Sequence, residues 1–386
     1  MKILFMSDLG FRRYKEYIGD AAIDAMFEEL QPVLDEADFR MVNLETPFDN
    51  GFEPIIKSGP NTGSLAEYVY GLKALRADAV GLANNHTGDF GKDGIAYTCD
   101  VLKKNGFPWL GAGDNLEQAY RPHRFVKDGQ TVSVLAICEN EYGIAGPNTP
   151  GAAGYRLGLT TQRILEEKKR GHAVVVYFHG GNEDNAIPSP GKQELYRFFL
   201  DIGADAVVAM HTHCPQGYEI YNGKPIIYSM GNFYYSCDTV EGWCDHPDCA
   251  FFSGYMTMLE FKDGTVAPTF HPYHYDWDRM ELLKGERLEA FNRHFDEICR
   301  PIADPEELQR FFEGWCLIGG AIYVRHAQYH PEMVESQRKV ANMKNAFTCE
   351  AHNEVIEAFL TMCYNGGWDR AAAYRDQLKK WQKIPL

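Results

Sequence analysis

The feature that most constrains this chain is a series of short, continuous apolar runs, each followed by a carboxylate, amide or imidazole side chain. The runs occupy residues 2–6, 41–44, 79–83, 132–137, 173–178, 206–210 and 225–228. Short runs without polar alternation mark strands covered on both faces. Between them apolar residues recur at helical spacing: Ile23, Met26, Phe27 and Leu30; Leu65, Val69, Leu72 and Leu75; Leu195, Phe198, Phe199 and Ile202. Lys168, Lys169, Arg170 and Gly171 read as a helix end. Strands alternating with helices imply an α/β core. Past Pro225 the pattern turns strand-rich, and residues 252–261 and 266–271 around Asp263-Gly264 read as a hairpin. The last stretch is helical near residues 278–299, 305–315, 331–347, 350–362 and 370–383. The expected organisation is therefore a core of residues 1–275 and a helical accessory region, 276–386, packed on it.

The residues at the run ends are those of a binding edge. Asp8 follows the first run, and Asn43-Leu44-Glu45 closes the second. Asn84-Asn85-His86 closes the third, His179 ends the run before it, and His211-Thr212-His213 follows residues 206–210. A lone Asp or Asn after a strand is ordinarily a turn residue or a cap. Five strand ends that each deliver such a group call for another reason. In open α/β sheets ligands sit outside the carboxyl ends of the strands. Oxygen and imidazole donors gathered there suit Zn, Mn or Fe.

These segments, in this order, resemble the boxes of CapA-type poly-gamma-glutamate synthesis proteins. The matching stretches are Asn43-Leu44-Glu45-Thr46-Pro47, then Leu82-Ala83-Asn84-Asn85-His86 with Asp89 and Gly91, then His179-Gly180-Gly181-Asn182-Glu183 with Gln193 downstream. Further on come Gly203-Ala204-Asp205-Ala206-Val207 leading to His211-Thr212-His213 and Gln216, and Tyr228-Ser229-Met230-Gly231-Asn232-Phe233. The likeness covers roughly residues 1–235 and leaves the C-terminal third unexplained. Such proteins are similar to calcineurin-like metallophosphoesterases. The resemblance implies an α/β fold: a four-layer α/β/β/α metallophosphoesterase-like sandwich, here with a C-terminal helical extension.

The resemblance also implies a centre for one or two divalent metal ions (Mn, Zn or Fe). Asp8 and His213 would hold the first, Glu45 would bridge, and Asn85, His179 and His211 would complete the second. His86 stands where the superfamily places a general acid or a group that stabilises the transition state, with Asp89 to orient it. The implied activity is that of a metal-dependent hydrolase on a phosphoester or an amide-containing, polyglutamate-like substrate. The alternative is a non-catalytic accessory protein of poly-gamma-glutamate (capsule) biosynthesis, and a third is a binding protein that holds an anion through its metal. Two departures bear on this. Gly10 replaces the histidine of the superfamily's D-x-H motif, which removes one imidazole from the first ion. Gly180 replaces the tryptophan of H-W-G, which should open space or remove a stacking surface.

Arg12, Arg13, Lys57, Asn61 and Glu183 are candidate substrate-binding residues, and Glu139, Asn140 and Glu141 also follow a run that ends at this edge. Cys237, Cys244, His246 and Cys249 lack a standard zinc spacing and read as free thiols in a loop. His271 and His274 lie among aromatics and read as packing residues.

Composition sets the partners. With 38 basic against 54 acidic side chains the formal charge is −16, which repels nucleic-acid backbones. A local metal centre can still draw in an anionic small molecule or polymer. No window approaches the ~18 apolar residues of a membrane span, and the first run is too short for a signal-peptide core. The expectation is a cytoplasmic protein without membrane or nucleic-acid partners.

Overall fold

A computed structural model describes residues 1–12, 16–236 and 248–386. Two sheets carry the fold. The first contains β1 (Lys2–Phe11), β2 (Phe39–Leu44), β3 (Ala79–Gly81) and β4 (Trp109–Leu110), with β13 (Asn232–Ser236), β14 (Ser253–Lys262), β15 (Thr265–Tyr275) and β16 (Met280–Leu282). Its order is β16-β15-β14-β1-β2-β3-β4, and β13 also pairs with β1. The second contains β6 (His123–Lys127), β7 (Gln130–Cys138), β9 (Ala173–His179), β10 (Ala206–Met210), β11 (Tyr218–Tyr221) and β12 (Lys224–Ile227), in the order β11-β12-β10-β9-β7-β6. A two-stranded ribbon joins β5 (Ala112–Gly113) to β8 (Gly151–Ala152).

Strand alternation builds the layers. Ile3, Phe5, Met41 and Ala79 point from the first sheet into one cluster with Val134, Ala136, Val175 and Tyr177 of the second. Leu4, Met6, Val42 and Val80 point the other way, into a cluster with Ile23, Leu30, Leu72 and Leu102 of the helices and with Phe27, which caps the first of them. On the far side of the second sheet, Phe178 meets Tyr196 and Phe199 of the helix Pro190–Asp201. The result is the expected four-layer α/β/β/α sandwich. Between the sheets, the Tyr177 hydroxyl donates to the Met6 carbonyl at 2.6 Å. The hairpin β14–β15 turns at Asp263 and Gly264, both with positive φ (50° and 76°), as a two-residue loop requires.

The first strand is longer than its apolar run. β1 continues through Asp8 to Phe11, so Asp8 lies inside the strand instead of after it. On one side β1 pairs with β14 over residues 2–5, then with β13 from Asp8 onward. The register shifts at this exchange, between Met6 and Asp8 against β2. The change of neighbour splits the sheet beside Asp8, the kind of switch point beside which ligands bind in α/β sheets. Sequence periodicity also missed β6 and β13, edge or aromatic strands without a continuous aliphatic run.

The C-terminal helices are Gly285–Cys299, Pro305–His326, Gln337–Thr348, Glu350–Asn365 and Trp368–Trp381. Phe291, Phe295, Ile298, Ile302, Leu308 and Phe311 belong to the same buried cluster as the second sheet. Phe295 stacks on Tyr218 with ring centroids 5.7 Å apart. Among the described residues, no helix is long and apolar enough to cross a membrane.

A buried ion pair ties this region to the core. Lys192 and Glu139 pair with almost no exposure, and Glu139 also accepts from the backbone N–H of Gly181 at 2.9 Å and Ala351 at 3.0 Å. Lys192→Met leaves that carboxylate buried without its counter-ion. The expected cost is about 3–5 kcal/mol of unfolding free energy, read from denaturant titration. A change below about 1 kcal/mol would show that the two N–H groups suffice.

Candidate metal centre

Six side chains converge between the carboxyl ends of the two sheets. Asp8 comes from β1, Glu45 follows β2, Asn85 follows β3, His179 ends β9, and His211 and His213 follow β10. All six are buried or nearly so. Two triads have ligating atoms within 4.8 Å of one another: Glu45, His179 and His211, and Asp8, Glu45 and His213. Glu45 belongs to both. Its Oε1 lies 3.6 Å from His179 Nε2 and 3.9 Å from His213 Nε2. Asn85 Oδ1 lies 3.1 Å from the same His179 Nε2. His179 and His211 rings face each other with centroids 4.6 Å apart.

The donor set fits a cation. Among the described residues, neither carboxylate oxygen of the fully buried Glu45 has a hydrogen-bond partner, and nor does His211 Nδ1. Burial, followed by the carboxylates of Asp8 and Glu183, pushes the Glu45 pKa well up. Burial and the neighbouring His179 and His213 push His211 well down. A positive charge between these groups removes both penalties, because it favours ionised carboxylate and neutral imidazole together. His211 carries φ 105° and His213 φ 55°, unusual for non-glycine residues. That strain persists where the surroundings hold a side chain in a required place.

Supporting residues fix the orientations. Asn43 Nδ2 donates to Asp8 Oδ1 at 2.7 Å, and the His211 backbone N–H donates to Asp8 Oδ2 at 3.1 Å. Asn232 Oδ1 lies 2.8 Å from His213 Nδ1, which turns Nε2 toward Glu45. Asn232 also donates to the His213 carbonyl at 3.3 Å and the Phe251 carbonyl at 3.2 Å. The orienting role of Asn43 had no signal beyond its neighbour Glu45.

His86 belongs to neither triad. Its Nδ1 lies 2.8 Å from Asp89 Oδ2, and its Nε2 faces Glu45 Oε1 at 4.0 Å. Burial and the Lys57 ammonium pull its pKa down to about 4. A buried neutral histidine makes stability depend on pH with a definite sign. The folded pKa is depressed, so the contribution is full above the unfolded value near 6.5 and is lost as pH falls toward about 4. Chelator-treated protein should lose roughly 3 kcal/mol across that window on this account. His86→Asn should flatten the slope of urea midpoint against pH; an unchanged slope would assign it to other groups.

The substrate candidates divide. Lys57 is buried and paired with Asp89, with its ammonium 3.3 Å from the Asn85 carbonyl and 3.1 Å from His86 Nδ1. It therefore sits behind His86, on the Asp89 side, and does not face the cleft as a clamp. Asn61 is likewise spent on structure: its amide donates to the carbonyls of Ile55 and Asp89 at 3.2 and 3.1 Å. Both residues are polar loop residues whose inward turn no local pattern encodes. Glu183 is exposed beside the cluster. Among the described residues no hydrogen bond or ion pair joins Arg12 to the centre. Arg13 lies outside the described residues, as do Cys237, Cys244 and His246; Cys249 is buried.

Both glycine departures are filled, not open. A Cβ on Gly180 would meet Glu139 Cγ at 2.6 Å, so the room expected from the missing tryptophan is taken by Glu139. A Cβ on Gly10 would meet Thr46 at 2.8 Å and the Tyr235 ring at 3.0 Å. Tyr235 packs beside His213, with centroids 5.2 Å apart. His274, by contrast, is 3.1 Å from Ser253 Oγ within the β14–β15 pair.

A four-layer sandwich with metal-type donors at the shared carboxyl edge of its strands defines a metallophosphoesterase-like class of protein. Within it, the chain belongs to the family described as bacterial capsule synthesis protein PGA_cap, which matches residues 3–236. It is 29% identical over 280 residues to the PGA biosynthesis protein CapA of Bacillus subtilis, covering 68% of this chain and 72% of that one. It is 28% identical over 248 residues to the capsule biosynthesis protein CapA of Bacillus anthracis, covering 62% and 59%. A probable polyglutamine synthesis accessory protein of Mycobacterium tuberculosis is 29% identical over 224 residues, covering 54% and 58%. Against the latter two, the chain spans less than two thirds of the relative's length. Among solved structures, a 5'-nucleotidase precursor from Thermus thermophilus is 14% identical with a TM-score of 0.43, covering 73% of this chain and 54% of that one.

Proposed function

We propose that this protein is a metal-dependent hydrolase acting on a phosphoester or an amide-containing, polyglutamate-like substrate. The observation that carries this reading is Glu45: fully buried, unpartnered at both oxygens, and common to two donor triads. Asp8, Glu45 and His213 would hold one divalent ion, and Glu45, Asn85, His179 and His211 a second. Such ions lower the pKa of bound water toward ~7 and stabilise charge developing at a phosphoryl or tetrahedral acyl centre.

The chain's own residues supply the rest. Asn43 and the His211 N–H hold Asp8 in place, and Asn232 holds His213. His86 keeps Nδ1 against Asp89 and presents Nε2 to the cleft, the position from which a proton reaches a leaving group. The charged Lys57 behind it disfavours a resting imidazolium.

The names of the relatives favour a second reading, an accessory protein of capsule polymer synthesis that binds without turnover. Purified protein loaded with Mn2+ or Zn2+ and offered aryl phosphoesters and γ-linked glutamate oligomers separates the two. Hydrolysis that chelator abolishes supports the first reading. Oligomer binding without hydrolysis, with ions present by elemental analysis, supports the second.

A further inference from the structure

The C-terminal helices reach the metal centre across more than two hundred residues of sequence. Ala351 is wedged between the loops after β7 and β9: its N–H donates to Glu139, and its carbonyl accepts from Asn182 Nδ2 at 3.4 Å. Asn140 donates to Glu350 through its backbone at 2.9 Å and through its side chain. Asn345 donates to Glu141 Oε2 at 3.3 Å, and the other oxygen of Glu141 is 3.9 Å from His211 Nε2. Two half-buried rings stand at this junction. Tyr323, near the end of Pro305–His326, stacks on His352, in the first turn of Glu350–Asn365, with centroids 4.4 Å apart.

We infer that this junction is the substrate-recognition wall of the cleft, with Tyr323 and His352 as binding residues that read an amide group beside the scissile bond. This rests on the hydrolase reading above. The wall combines donors with acceptors. His352 and the Tyr323 hydroxyl can donate, and the carboxylates of Glu141 and the exposed Glu183 can accept. The rings stand beside the loops that carry these carboxylates: His352 directly follows Ala351, which bonds Glu139 and Asn182. Inorganic phosphate offers mainly acceptors and would face Glu141 and Glu183 with like charge. An amide offers one N–H and one carbonyl and satisfies both sides. The helices that supply the rings lie outside the matched segment 3–236, so this recognition belongs to the extension and not to the shared core.

The test is calorimetric titration of the full chain, loaded with Mn2+, with three probes: γ-linked triglutamate, its analogue with ester linkages, and inorganic phosphate. Wild type should bind the amide at least about tenfold more tightly than the ester, because a site built to bond an N–H rejects the analogue lacking it. His352→Ala and Tyr323→Phe should each weaken the amide by about tenfold, a hydrogen bond's worth at a partly buried site. His352→Gln, which retains a donor, should recover most of the loss. Equal affinity of wild type for amide and ester, or variants that bind the amide as wild type does, would overturn the inference. So would losses equal for amide and phosphate, which would mark general damage to the centre. Failure of metal-loaded wild type to bind phosphate or to hydrolyse any phosphoester or amide would instead count against the hydrolase reading itself.

Discussion

Glu45→Gln should empty the centre of metal and abolish turnover, a loss of more than about 10³-fold, because no other side chain serves both triads. The reason is electrostatic. Two cations held by these triads would repel unless a carboxylate stood between them. A neutral amide of the same shape leaves that repulsion unopposed. The same substitution should have the opposite effect on the metal-free protein. Asp8 and Glu183 already disfavour a charge on Glu45, and burial disfavours it more. Gln at this position removes an ionisable group that the empty site holds at a cost. Without metal the variant should therefore melt at or above wild type; with metal, wild type should be the more stable. Elemental analysis and paired melts with and without chelator check both halves. Full metal content in the variant would sink the bridging role.

His86→Asn should leave metal content nearly intact and slow turnover by ~10²–10⁴-fold, the usual worth of a positioned acid or base. His86 stands outside both triads, and its Nδ1 is committed to Asp89, so removing it takes away no shared ligand. The loss should shrink for substrates whose leaving group needs no proton. His211→Asn should remove metal and activity together, since His211 lines the cluster against His179 with no other partner for its Nδ1. Equal metal loss in the two variants would defeat this division of roles. Unchanged turnover in the His86 variant would make that histidine structural and would weaken the hydrolase reading with it.

These experiments bear on residues of unequal legibility. The α/β core and the polar groups at its strand ends could be read from local pattern; the four-layer arrangement and the choice of six candidate donors among those groups came from the family resemblance. An apolar run makes a strand, and the residue at its carboxyl end arrives at a common edge whatever the rest of the molecule does. Asp8 was the partial exception. It sits within β1, and only the exchange of β14 for β13 opens the sheet beside it.

Other features depend on contacts that no local pattern announces. Lys57 turned inward behind His86 because Asp89 offered a buried partner, not outward as a surface clamp. Gly180 left room that Glu139, some forty residues earlier, occupies. The C-terminal helices looked like an accessory layer, yet Glu350, Ala351 and Asn345 grip the loops that carry Glu139, Asn140 and Glu141. The sequence by itself determined the buried strands that carry continuous apolar runs and the candidate donor groups near their ends, since periodicity and turn chemistry act within a few residues. Which side chains stand behind those ligands, and which distant helix walls the cleft, was decided only by tertiary packing. There a buried charge or amide must find its partner wherever the folded chain brings one.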